Sequence, residues 1–273
     1  MSVATHGALT YLDEGSPDGE VVLLLHGWPT SSFLWRRLVP LLAARFRVLV
    51  PELEGTDLRA QADEVGAVLR ALRVERFAVV GHSHGGAVAQ LLAHDGIGLQ
   101  TLVLIDSVAF DEAPPTDLDP RTFVERGTVE VADLTDDELA ALTSAHGPPP
   151  GPVDLADAVA TLSDAEYPVF LLWGEDDPYT PLALAERLND ALPGSTLGVV
   201  PESGHFLLED AFDSVGVLLA EYLRSRYLGA PHGHEGIVAL QLERRPPWVD
   251  LAPYMEEDDD PAPPRDQEVG PNA

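Results

Sequence analysis

The chain has 273 residues carrying 16 basic and 46 acidic side chains, a formal net charge of −30. A hydrophobic fraction of 45% is that of a globular protein, and the length suits one large α/β domain or two small ones. All basic residues are arginine and cysteine is absent, which excludes Schiff-base lysine, Walker-type phosphate loops, thiolate metal ligands and cysteine nucleophiles.

In chain order, short apolar runs rich in β-branched residues alternate with helical patterns. Runs at 21–25, 47–50, 77–80, 102–105, 169–173 and 197–200 read as strands buried on both faces of a parallel sheet. Helical spacing marks 32–44, 58–72, 85–94, 182–191 and 212–226. The alternation predicts an α/β fold, a doubly wound, mostly parallel sheet with helices on both faces. Ligands in such sheets bind at the carboxyl ends of the strands.

Two segments depart from this rhythm. Residues 111–166 hold 14 acidic and 2 basic residues with seven prolines. They are expected to form a small inserted helical cap, with weak helices at 136–144 and 155–162. Residues 229–273 hold 10 acidic and 3 basic residues with eight prolines, and read as a largely disordered acidic tail. Within it, His232 and His234 offer two metal ligands, a weak signal on a flexible segment. The core is expected at 1–110 and 167–228.

The acidity argues against nucleic acid and anionic membrane partners. No apolar run approaches the ~18 residues of a membrane span. The start lacks a signal-peptide pattern, so a cytoplasmic protein is expected, with the acidic cap or tail as the surface for any protein partner.

Gly81-His82-Ser83-His84-Gly85-Gly86 follows one strand and opens a helix. This is the G-x-S-x-G elbow in its required context: a tight turn lifts the Ser83 hydroxyl clear of the sheet. An activated serine needs a base, and the base an orienting acid. His205 in Ser203-Gly204-His205 follows the last of these strands and is the expected base. Gly174-Glu175-Asp176-Asp177-Pro178 follows the strand before it. There Asp177 is the preferred acid, with Asp176, Glu175 and, after the preceding strand, Asp106 as alternatives. The backbone N–H groups of Trp28, in His26-Gly27-Trp28-Pro29, and of His84 are the expected oxyanion donors. Phe33, Leu34, Phe110, Phe123, Tyr179 and Phe206, with Trp28, are the candidate substrate walls.

Taken together, these motifs resemble the α/β-hydrolase superfamily from about residue 9 to 228. The resemblance implies Ser83 as nucleophile, Asp177 as acid, His205 as base and a cap domain. It also implies a serine hydrolase of small, largely apolar esters, lactones or thioesters, with no cofactor and no metal. Ser83 argues against dehalogenases and epoxide hydrolases, which carry aspartate at the elbow. Lyase or carbon–carbon bond hydrolase chemistry with the same triad, or a non-hydrolytic accessory role, are the alternatives. One departure stands out: the loop Pro51-Glu52-Leu53-Glu54-Gly55-Thr56-Asp57 is shorter than the Gly-rich loop usual there, which reshapes one wall of the pocket.

Overall fold

The computed structural model describes residues 2–111, 119–128, 134–143, 148–227 and 236–238. Among them run nine strands: β1 (Ser2–His6), β2 (Leu9–Glu14), β3 (Val21–Leu25), β4 (Arg47–Pro51), β5 (Phe77–His82), β6 (Leu99–Ile105), β7 (Val169–Gly174), β8 (Thr196–Val200) and β9 (Gly236–Val238). They form one sheet in the order β1-β2-β4-β3-β5-β6-β7-β8-β9. The β1–β2 and β2–β4 pairs are antiparallel. All the others are parallel. The architecture is the expected doubly wound α/β sheet.

The helices are α1 (Leu38–Ala43), α2 (Leu58–Ala71), α3 (His84–His94), α4 (Pro120–Gly127), α5 (Asp136–Leu142), α6 (Ala156–Ser163), α7 (Leu182–Ala191), α8 (Leu207–Asp210) and α9 (Phe212–Tyr227). The helical pattern at 32–44 is split into a 3₁₀ turn, Ser32–Trp35, and α1. Pro40 is the reason: it has no N–H, and its ring clashes with the carbonyl four residues back, so the helix restarts with Pro40 in its first turn.

Successive residues of a strand face opposite sides of the sheet, and the core divides accordingly. Leu23, Leu25 and Val79 join α2, α3, α6 and α7 side chains such as Leu69, Leu92, Leu162 and Leu188 on one face. Val22, Leu24 and Val80 join Leu42 of α1 and Leu219 of α9 on the other. Segment 111–166 contributes to both layers: α4 and α5 supply Phe123, Val124, Leu139 and Leu142 to the second cluster, and α6 supplies Ala158, Val159 and Leu162 to the first. The N-terminal hairpin β1–β2 and helix α4 went unrecognised in the sequence.

Of the tail, β9 alone is described, pairing in parallel with β8. The expected disorder there and His232 and His234 lie outside the described residues. No helix among the described residues is long and apolar enough to cross a membrane.

Candidate active site

The turn between β5 and α3 places Ser83 at φ 52° and ψ −122°, a region that a residue with a side chain seldom occupies. Neighbours over-determine it: the Ser83 N–H donates to the Ile105 carbonyl at 3.0 Å, and the Ser83 carbonyl accepts from Gly86 N–H at 2.9 Å. Glycine is required around the turn. A Cβ on Gly85 would sit 2.3 Å from the Leu25 carbonyl oxygen, and one on Gly27 would sit 2.7 Å from Ser83 Cβ.

β8 carries His205 to this turn. Its Nε2 is 3.0 Å from Ser83 Oγ, and its Nδ1 is 2.8 Å from Asp177 Oδ2. Ser83 and His205 are fully buried, and Asp177 nearly so. The Asp177 carboxylate accepts from Tyr179 N–H at 2.7 Å, Thr180 N–H at 3.0 Å and the Thr180 hydroxyl. Burial pushes the Asp177 carboxyl up, but the charge and hydrogen bond of His205, with those donors, hold it below the usual range. An ionised Asp177 fixes Nδ1–H as donor and leaves the Nε2 lone pair facing the Ser83 hydroxyl.

The other acids of that turn do not reach the ring: Glu175 is exposed, and Asp176 joins the His205 loop through its N–H to the Ser203 carbonyl at 2.9 Å. Asp106 is fully buried at the end of β6 and accepts from Gly174 N–H at 2.8 Å, while its Oδ2 has no partner. Burial, and then the Asp177 charge, raise its pKa well above the ordinary value.

His205 is braced from several sides. Its N–H donates to the Gly127 carbonyl of α4 at 2.7 Å, and its carbonyl accepts from His82 Nε2 at 2.7 Å. Phe206, Tyr179 and Phe123 stand edge-on to the imidazole at 5.1, 5.3 and 5.8 Å. The Tyr179 hydroxyl ties back to the Phe123 carbonyl at 2.7 Å. Burial and the His205 charge lower the His82 pKa to about 3, so this ring is neutral. The bracing by Gly127, and by Asp210, which accepts from Gly204 N–H at 2.8 Å, was missed in the sequence. Asp119 followed by Pro120 is a helix-start signal that points to α4, but nothing local announces the contact.

The remaining expected wall residues pack as follows. Leu34 is enclosed in the second core cluster, and Phe33 lies under the Arg36 guanidinium at 4.5 Å. Phe110 packs on the first cluster beneath Arg187 at 3.9 Å. Trp28 meets Phe123 edge-on at 5.3 Å.

The loop after β3 contains a cis Trp28–Pro29 peptide bond. The loop after β4 folds onto it. His26 Nε2 accepts from Leu53 N–H at 2.9 Å and lies 3.1 Å from Glu52 Oε1. Burial would raise the Glu52 carboxyl, but His26 and Ser32 together bring it down to about 2. Gly27, Trp28 and His84 meet at a small cavity beside Ser83, which Leu53 and Gly55 also line.

The model of the alpha/beta hydrolase family matches residues 22–217. The magnesium-chelatase 30 kDa subunit of Rhodobacter capsulatus is 28% identical, with 78% of this chain and 89% of that protein covered. The cis-3-alkyl-4-alkyloxetan-2-one decarboxylase of Xanthomonas campestris pv. campestris is 26% identical, covering 74% and 88%. An alpha/beta hydrolase fold protein from Burkholderia ambifaria superimposes with a TM-score of 0.64 at 26% identity, over 78% of this chain and 93% of that one. The chain belongs to the alpha/beta hydrolase family.

Proposed function

From membership of that family, we propose that the protein is a serine hydrolase of small, largely apolar esters, lactones or thioesters, working through an acyl-enzyme. The observation that carries this reading is the buried hydrogen-bonded chain Ser83–His205–Asp177, with spacings of 3.0 and 2.8 Å. His205 takes the Ser83 proton as Oγ bonds to the carbonyl carbon. The carbonyl π electrons move to oxygen, where the Trp28 and His84 backbone N–H groups receive the charge. Asp177 stabilises the imidazolium. The intermediate collapses by breaking the bond to the leaving group, which takes the proton from His205. Water, deprotonated by His205, then attacks the acyl carbon and releases the acid and free Ser83.

The aromatic surround of His205 supports an apolar substrate. Likeness to a decarboxylase named for oxetan-2-ones, which are cyclic esters, supports lactones within the class. Segment 111–166 is the cap in this reading, and α4 its wall against the base.

Labelling with a fluorescent fluorophosphonate tests the proposal. Wild type is expected to label, and Ser83→Ala and His205→Ala are not. A folded wild type that stays unlabelled would overturn the hydrolase reading. It would favour an accessory role, the reading that likeness to a chelatase subunit supports.

A further inference from the structure

His84 follows the proposed nucleophile, and its imidazole is only 3% exposed. Neither Nδ1 nor Nε2 makes a well-formed hydrogen bond, and the backbone group that acts on the ring is that of Trp28. A buried polar group left in that state destabilises a fold, so stability alone does not account for an imidazole here. His84 lines the small cavity beside Ser83 together with His26, Trp28, Thr30, Leu53 and Gln61. The cavity has room for about one water-sized group.

The Thr30, Gln61 and His26 side chains of this wall are committed within the fold. The Thr30 hydroxyl donates to the Gly27 carbonyl at 2.8 Å. The Gln61 amide donates to the carbonyls of Glu54 and Gly55 at 3.1 and 2.9 Å. His26 is engaged by Leu53 N–H. His84 is the member of the set with hydrogen-bonding capacity to spare. Burial, then the His205 charge, lower its pKa to about 3 against the opposing pull of the Trp28 backbone, so the ring is neutral, with one N–H and one lone pair. No arginine lines the cavity, and the Glu52 carboxylate lies 3.1 Å behind His26, which repels an anion. The group that complements a neutral imidazole in such a place is itself neutral and both donates and accepts: an alcohol.

Resting on the serine-hydrolase reading, we infer that His84 and this cavity form a subsite for a hydroxyl group close to the scissile carbonyl, making hydroxylated acyl esters the preferred substrates. A site built to bond an OH discriminates against the analogue that lacks it, because its own polar group is then left unpaired.

The test is the ratio of kcat/KM for p-nitrophenyl 3-hydroxybutyrate to that for p-nitrophenyl butyrate, measured on wild type, His84→Leu and His84→Asn, each checked for folding by circular dichroism and for fluorophosphonate labelling. Wild type is expected to favour the hydroxylated ester about tenfold. The ratio should fall to about one in His84→Leu and recover in part in His84→Asn, which restores a donor and an acceptor. Losses common to both esters cancel in the ratio. A wild-type ratio of one or below, on a protein that labels and turns over, overturns the subsite alone, and does so even if His84→Leu does not fold. An unchanged ratio in a folded His84→Leu does the same. Wild type that neither labels nor hydrolyses either ester overturns the hydrolase reading, and the subsite with it.

Discussion

The two sides of Ser83 treat buried imidazoles in opposite ways. On the side of β8, His205 has a hydrogen-bond partner on each ring nitrogen. On the side of the small cavity, His84 has no well-formed bond on either, with the Trp28 backbone acting on its ring. His82 lies between these extremes, with Nε2 bonded to the His205 carbonyl and Nδ1 without a partner. All three rings are buried, so desolvation does not separate them; what separates them is whether the fold itself supplies the partner. A ring partnered on both sides has its tautomer and direction set before substrate arrives. One without well-formed bonds keeps its hydrogen-bonding capacity for a ligand.

The most severe way to break this contrast is to remove the fully partnered side. Ser83→Ala or His205→Ala is expected to reduce ester turnover by about 10⁶, with an unchanged melting temperature for Ser83→Ala; a variant within tenfold of wild type would show that the partnered chain is not the catalyst. Next in size, Asp177→Asn is expected to lower kcat by about 10⁴, because an amide cannot stabilise the imidazolium and favours the wrong tautomer. Stopped-flow burst kinetics should show the loss in acylation.

A smaller effect sharpens the intermediate case. His82→Phe retains the aromatic contacts with Phe206 and removes the bond to the His205 carbonyl. We expect kcat to fall about tenfold with KM unchanged, since the lost contact aims His205, the proposed base, and is not a substrate contact. Equal changes in both constants would count against a positioning role.

Asp106 provides the mildest probe, a buried carboxyl partnered at one oxygen only. Burial and the Asp177 charge raise its pKa well above the ordinary value in the fold, whereas in the unfolded chain it ionises near about 3.9. Above that pH the native chain binds the extra proton, so this group contributes stability at low pH that is lost as pH rises. Asp106→Asn does not titrate and still accepts from Gly174 N–H. Its melting temperature should exceed that of wild type by about 3 °C at pH 8, with the gap closing towards pH 4. A gap that is constant with pH would mean Asp106 is ionised in the fold.

Much of this molecule is legible in the chain because its signals are local. The parallel strands are continuous β-branched runs, and the elbow is one short string whose glycines answer to backbone contacts within the same turn or the neighbouring strand. The hairpin β1–β2 was harder to see, because β1 is mostly exposed and carries no continuous apolar run. Helix α4 escaped for a different reason: it is short and lies in an acidic, proline-rich stretch where a cap and a loop look alike.

By itself the sequence determined the doubly wound sheet and the turn that strains Ser83, since periodicity and a glycine string record backbone geometry directly. Only the tertiary structure decided which carboxylate meets His205. The sequence prefers Asp177 but leaves Glu175, Asp176 and Asp106 open; the direction in which the turn after β7 aims each side chain decides. Only the tertiary structure, too, set the Gly127 carbonyl against His205 and left the His84 nitrogens without well-formed bonds. Both depend on segments distant in the chain, and a hydrogen bond between distant segments leaves no periodic mark on either.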